Sequence, residues 1–483
     1  MKKSLLSIAT LALCCIVSLQ AKNNPWEMAD EILTSMSQVK FPERMVSITE
    51  FGAIANNPDQ LAHDAINQAI IHINQQGGGT VIIPDSIYYT GPITLKSNVR
   101  LHLEEGAQLK FSTDINLYFP AVPTRWEGID CNNTHPLIYA YGETNIALTG
   151  KGVLDAQGSE TAWWNRIDIE RRNRYQDPND PTSPQVLPSR IQLLHWGEQQ
   201  VPLHERTYAP HNALRPQFVN FYHCNTVLIE DITLLNSPFW VLHPLFCKDL
   251  PVRGVTIIND GPNGDGCDPE SCKNVLIENC TFDTGDDCIA IKSGRNTDGR
   301  KWNVPSENII VRNCHMKNGH GGVVIGSEIS GGFRNLFVEN CTMDSPLLDR
   351  VIRIKTSTCR GGLIENIHVR NVTVGQCREA VLRINLNYEP KEECQRGFNP
   401  TVRNVYMENV TCQKSQYALY LSGLDDVTNI DNVNLTNCRF DGVKTGKNFV
   451  EGNIGVLHFD KLFINGKKVK KLTSENTTSK KKK

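Results

Sequence analysis

The amino-acid sequence predicts an all-β protein, a single right-handed parallel β-helix with an N-terminal helical cap. Three observations predict it. The first is a sixfold repeat, Asn-φ-x-φ-x-Asn with φ apolar: NVLIEN from Asn274, NIIVRN from Asn308, NLFVEN from Asn335, NIHVRN from Asn366, NVYMEN from Asn404 and NVNLTN from Asn432. The steps are 34, 27, 31, 38 and 28 residues, within the repeat lengths that mark solenoids. The second is a run of short segments such as TVIIP, YYTGPITL and VRLHLEEGAQLKF, rich in β-branched residues and punctuated by Gly, Pro and Asn. The third is residues 61–75, LAHDAINQAIIHINQ, with Ala65, Ile66, Ala69, Ile70 and Ile73 at helical spacing and Gly77, Gly78 and Gly79 as a stop. A solenoid must cover its first coil, and this amphipathic helix is the expected cover.

In chain order, residues 1–21 read as a signal peptide. Lys2 and Lys3 precede an apolar core from Leu5 to Val17, too short to span a membrane comfortably, and Ala21 ends a plausible cleavage site. Leu13 before Cys14 makes the alternative lipoprotein signal a poor match. The expected destination is periplasmic or secreted. Residues 24–39 could form a short helix. The β-helix domain is expected over residues 22–466, interrupted at 157–216 by a charged, proline-bearing and aromatic insertion that includes Trp163, Trp164, Arg171, Arg172, Arg174 and Trp196. Such a length reads as a surface loop or lid. Its tryptophans could line a sugar site or simply anchor the loop. Residues 467–483, rich in Lys, Ser and Thr, are expected to fray.

The chain has 483 residues and a formal charge of −2, or −8 without Lys2, Lys3 and the four terminal lysines. A mildly acidic body argues against general nucleic-acid binding. No segment after the signal is long and apolar enough for a membrane helix. After the second Asn of each repeat stand Cys280, Cys314, Cys341, Val372, Val410 and Cys438. A position shared by Cys and Val reads as an interior ladder of small apolar side chains rather than a set of disulfides. Stacked Asn side chains can bond along the helix axis.

The chemistry concentrates in residues 263–292, NGDGCDPESCKNVLIENCTFDTGDDCIAIK. Asp265 and Asp286 stand 21 residues apart, a plausible coil length, so the carboxylates of Asp265, Asp286 and Asp287 can gather on one face at roughly the 4.8 Å strand spacing. Clustered carboxylates cannot all ionise normally, and an acid beside a base is what glycosidic hydrolysis needs. Either motif alone would read more simply as a turn.

Together the motifs resemble glycoside hydrolase family 28, the polygalacturonases and related pectinases. NGD at 263–265 resembles the family's Asn-Thr-Asp, and GDD at 285–287 its Gly-Asp-Asp. GHG around His320, RIK with Arg353 and Lys355, and INLNYE with Tyr388 follow in the same order. The resemblance runs from about residue 48 to 463 and implies inverting hydrolysis of α-1,4-galacturonosyl linkages in a pectic polysaccharide or oligogalacturonide. It implies Asp286 as general acid, and Asp265 and Asp287 as the groups that hold and deprotonate water. An inverting pair is expected to stand roughly 6.5–9.5 Å apart. His320 would position substrate or set protonation. Arg353, Lys355, Tyr388, Asn263 and Lys292 are the candidate substrate contacts, with Arg353 and Lys355 facing the same way along one strand and suited to a uronate carboxylate. For Lys292 a merely solvated side chain is an equal alternative.

Gly264 departs from the family's Thr. The long stretch between Asp287 and His320 resembles bacterial exo-acting members, and long loops can close one end of a cleft. Exo action is therefore expected, with another pectic backbone such as rhamnogalacturonan as the alternative. No cofactor is expected: NGDGCDPE lacks the full ligand spacing of a calcium loop. A monomer is expected. Two readings of other kinds remain at this point, a calcium-dependent pectate lyase and a non-catalytic glycan-binding solenoid.

Overall fold

The computed structural model describes residues 24–171 and 187–479. The signal segment, Arg172, Arg174 and the terminal lysines lie outside the described residues. The repeat does what its pattern requires. Val275, Ile309, Leu336, Ile367, Val405 and Val433 form one parallel line across six coils. All six are fully buried. Alternation along each strand turns these residues inward and their neighbours outward.

The repeat's first Asn sits at each corner with φ between 53° and 66°, left-handed backbone that Asn tolerates better than most side chains. Each Asn side chain donates to the Asn one coil earlier: Asn308 to Asn274 at 3.0 Å, Asn335 to Asn308 at 2.9 Å, and onward through Asn366, Asn404 and Asn432. The Cys and Val positions that follow point into the core, with Cys280, Cys314, Cys341 and Cys438 free and buried. Among the described residues one disulfide forms, Cys359–Cys394. It ties the segment carrying Tyr388 to the turn that follows Lys355.

Helix α1 (Pro25–Ser35) lies outside the coils, its Ala29 and Ile32 packed on Leu276, Ile310 and Phe337. Helix α2 (His63–Gln75) is the cap: Ala65, Ile66, Ala69, Ile70 and Ile73 are all buried. At the other end the chain does not fray as expected. Leu462–Ile464 and Lys467–Val469 pair as an antiparallel hairpin, and Thr477–Thr478 adds to Asn448–Glu451. An open last coil would leave a row of unpaired backbone groups, and the hairpin covers part of it.

The insertion is not a bare loop. It carries helices α3 (Ile167–Arg171) and α4 (Ser189–Glu198), and it folds back over one face of the solenoid. That face is a second stack of parallel strands. It runs from Ile138–Tyr141, Val219–Tyr222 and Leu242–Leu245 through isolated bridges at Cys267 and Glu270 to Ile289–Ile291, Val323–Gly326, Arg350–Lys355 and Ala380–Asn385. No helix among the described residues is long and apolar enough to cross a membrane.

Candidate active site

Successive coils of this second face deliver the predicted side chains to one place. Asp265 lies in the turn after Thr256–Asn259, Asp286 and Asp287 in the turn before Ile289–Ile291, and His320 before Val323–Gly326. Backbone bonds lock the turns together: Gly266 N–H donates to the Asp287 carbonyl at 2.9 Å and His320 N–H to the Asp286 carbonyl at 3.0 Å. Close packing explains two glycines. A Cβ on Gly319, whose φ is +150°, would lie 2.6 Å from the Asp286 carbonyl oxygen. A Cβ on Gly264 would lie 2.4 Å from Asn259 Nδ2 and 2.6 Å from the Gly261 carbonyl oxygen. The family's threonine therefore does not fit this turn without a shift.

One oxygen from each of Asp265, Asp286 and Asp287 lies within 4.8 Å of the others. This is closer than the expected 6.5–9.5 Å. The reason is geometric: both turns project from one face, one coil apart, and the strand spacing fixes their separation.

The three carboxylates have different surroundings. Asp287 is fully buried and takes Arg353 Nη1 at 2.9 Å and Lys355 Nζ at 2.7 Å. Burial alone would raise its pKa, but the two cations outweigh it and hold the carboxyl well below the usual range. Asp265 is pushed up to about 8, first by burial and then by the neighbouring Asp286 charge, against the pull of Lys292. Asp286 is the accessible member, with His320 Nδ1 2.9 Å from its Oδ1. That hydrogen bond, more than any other influence, raises the His320 pKa.

A cavity of ≈ 230 Å³ opens over this cluster. Seven of the expected residues line it besides Asp265: Asn263, Asp286, Lys292, His320, Arg353, Lys355 and Tyr388. Asp287 is not among its lining side chains and sits behind the two cations. Lys292 is not solvated. It is buried, 3.5 Å from Asp265, 3.5 Å from Asp268, 3.3 Å from Glu328 and 4.4 Å from the centre of the Trp240 ring. Burial works against its ammonium, yet Glu328, Asp268 and Asp265 together hold its pKa well above the ordinary value. Tyr388 closes over Arg353 and Lys355, its ring centre 5.7 and 5.4 Å from their charged groups.

Sequence reasoning missed the cavity's upstream wall. Glu127, Arg171, Arg190 and Arg295 line it. Glu127 accepts from Arg171 at 3.0 Å, Arg190 at 2.7 Å and Arg295 at 3.1 Å. Arg171 and Arg190 come from the insertion, so the insertion does build the site, through its arginines. Its tryptophans are anchors. Trp163 is buried and donates to the Ala156 carbonyl, Trp164 donates to the Ser237 carbonyl, and Trp196 packs on Tyr208. None of these residues carries a motif. The length of the insertion and of the stretch before His320 was the available signal.

Three carboxylates within 4.8 Å could ligate a cation on donor type alone. Here the Asp287 oxygens are already taken by Arg353 and Lys355, and burial with the Asp286 charge beside it favours the protonated form of Asp265. The donor set suits proton transfer better than a metal.

A stack of unequal carboxylates beneath a cation-lined pocket, on a parallel β-helix, defines an acid–base glycoside hydrolase. The chain belongs to glycosyl hydrolases family 28, whose model matches residues 204–452. It is 26% identical over 410 residues to a probable polygalacturonase of Vitis vinifera, covering 81% of this chain and 73% of that protein. It is 25% identical over 390 residues to an exo-poly-α-D-galacturonosidase of Dickeya chrysanthemi, covering 76% of this chain and 63% of that protein. It superposes on the crystal structure of a hyperthermoactive exopolygalacturonase from Thermotoga maritima with a TM-score of 0.84 and 36% identity, covering 93% of this chain and 98% of that one.

Proposed function

We propose that the protein is an exported, monomeric exo-polygalacturonase that removes galacturonate units from the end of a pectic chain by single displacement. The observation that carries the exo reading is the wall that the insertion and the long turns add to the cavity, where Arg171, Arg190 and Arg295 meet on Glu127. The exo-acting relatives support the same reading.

Arg353 and Lys355 each spend one donor on Asp287. Their remaining donors are available for the carboxylate of the sugar beside the cleaved bond, and Arg353 Nε is buried without a partner. Asp287 thus acts as the anchor that aims both cations. Holding the water falls to Asp265.

The reaction needs one proton between Asp265 and Asp286. At rest it sits on Asp265. The reactive arrangement places it on Asp286, the accessible member, which gives it to the glycosidic oxygen as the bond breaks. Water held on Asp265 attacks the anomeric carbon, and Asp265 takes the water's proton. The cluster ends with the proton on Asp265, which is the resting arrangement. After the products leave, water entering the cavity relays the proton from Asp265 to the accessible Asp286 and re-arms it. His320 holds Asp286 in line.

The test is a digest of de-esterified polygalacturonate followed by time-resolved NMR and mass spectrometry, beside Asp286→Asn. Saturated monogalacturonate from the first minutes, β-configured when fresh and absent with the variant, is the expected result. A ladder of saturated oligomers would overturn exo action, unsaturated ends would indicate a lyase, and α-configured fresh product would overturn single displacement.

A further inference from the structure

Arg353 is not the last cation on this face of the solenoid. In parallel register it neighbours Arg383 on Ala380–Asn385, and Arg383 neighbours Tyr420 on Tyr417–Ser422. Each step is one coil further toward the C-terminal end of the solenoid, roughly 4.8 Å. The Arg383 guanidinium carbon stands 4.4 Å from the centre of the Tyr420 ring, which holds the planar group in one orientation. Its Nη1 donates to both Glu379 oxygens, at 2.7 and 2.8 Å. Among the described residues nothing accepts from its Nε or Nη2.

The charges on this flank are arranged with a consistent deficit of carboxylate. Asp287 is shared by Arg353 and Lys355, Asp349 by Arg350 and Arg378, and Glu379 by Arg350 and Arg383. Arg350 is shared by two of the acids, so five cations face three carboxylates and this group keeps a positive excess on an otherwise acidic protein. It is also open at its rim, where the Arg378 side chain is 63% exposed and Leu347 61% exposed. A polymer with one carboxylate per sugar supplies the missing negative charge at each step.

We infer that Arg383, held on Tyr420, forms a second downstream subsite that binds the carboxylate of the uronic acid one residue beyond the two sugars flanking the cleaved bond. This rests on the exo-polygalacturonase reading, in which the chain end lies against the upstream wall and the rest of the polymer runs over the later coils. Digalacturonate then ends short of Arg383, whereas trigalacturonate reaches it. The residue acts by binding and takes no part in the proton transfers.

The experiment compares kcat/KM for digalacturonate and trigalacturonate in the wild type, Arg383→Gln and Arg383→Lys. Glu379 keeps Arg350 as a partner in both variants, and thermal midpoints within a degree of the wild type confirm folding. Loss of one charge-assisted fork is expected to cost about tenfold on trigalacturonate, with digalacturonate unchanged. Arg383→Lys, which keeps the charge without the fork, should lose less on trigalacturonate. Equal losses on both substrates would make Arg383 a framework residue and overturn the subsite, and so would no loss on either. A wild type that cleaves neither oligomer would sink the underlying reading instead, whatever the variants do.

Discussion

Replacing Asp265 with asparagine should abolish turnover and make the protein more stable, by an amount that depends on pH. Asp265 is buried and its pKa is raised from 3.8 to about 8. The folded protein therefore holds a proton that the unfolded chain releases above pH 3.8. A carboxyl raised in this way costs nothing below the unfolded pKa, and its cost grows with pH until the folded pKa is passed. At pH 7 the difference of roughly three units corresponds to about 4 kcal/mol. Asparagine is neutral in both states and is free of that cost. Its carbonyl can face Lys292 as the protonated acid does.

With an unfolding entropy of about 2 cal/mol/K per residue, a chain of this length converts about 4 kcal/mol into about 4 °C of thermal midpoint. Differential scanning of the wild type and Asp265→Asn at pH 7 should show that gain. At pH 4 it should shrink to under about 1 °C, because little linkage remains there. If Asp265 were ionised and paired with Lys292, the variant would instead be less stable at pH 7. A midpoint that falls, or rises equally at both pH values, would refute the protonated-acid reasoning and with it the proposed proton inventory.

The neighbouring Asp287→Asn should move the other way. It strands the buried Arg353 and Lys355, at a cost of about 3–5 kcal/mol. Because the Asp287 pKa is lowered in the fold, its stabilisation is present above the unfolded value near 3.8 and is lost as pH falls below it, so the variant's deficit should be nearly equal in scans at pH 7 and pH 4 and smaller in a scan near pH 2. The pH dependence of kcat/KM should lose activity above about pH 8, where Asp265 loses its proton, and an initial-rate profile that stays flat to pH 10 would contradict this. Asn335→Ala removes a donor to Asn308 and an acceptor for Asn366 at a corner with φ 66°. It should lower stability by about 1–3 kcal/mol, seen as a lower midpoint with an unchanged product spectrum.

What could be read in advance follows from how a solenoid is encoded. Asn308, Cys314 and their counterparts recur because each repeat meets only the next, so a local pattern carries the whole stack. Asp265, Asp286, His320 and Arg353 were picked out by the order of short motifs that resemble one family, and the structure brings them together around one cavity because each occupies a turn or strand of nearby coils. Glu127, Arg190 and Arg295 were not. They meet through an insertion and two long turns that have no period, and no short motif marks where such segments close. Trp163 and Trp196 were ambiguous because an anchor and a sugar platform require the same side chain. Lys292 stood evenly between a substrate contact and a solvated side chain because strand alternation gives its side of the sheet, not the depth of what folds over it. The end of the chain was expected to fray on composition, although the hairpin at Leu462–Ile464 meets a need for edge cover that composition does not record.

The close carboxylates bear on stereochemistry. Separations near 5 Å usually accompany a covalent intermediate and retention, because acid and nucleophile flank the sugar from opposite sides. In this fold the proposed acid Asp286 and the proposed base Asp265 rise from the same face, displaced along the axis by one coil, with Asp265 on the coil before Asp286. A chain laid along that axis, its end against Glu127 and its continuation toward Arg383, has its scissile bond parallel to the displacement. Water on the Asp265 side then stands behind the anomeric carbon while Asp286 meets the departing oxygen ahead of it. Inversion follows from that direction of approach even though the side chains are near each other. On the proposed roles, the short separation between Asp265 and Asp286 leaves room for one relaying water, so a spacing that a separation rule would read as retention is compatible with a single displacement.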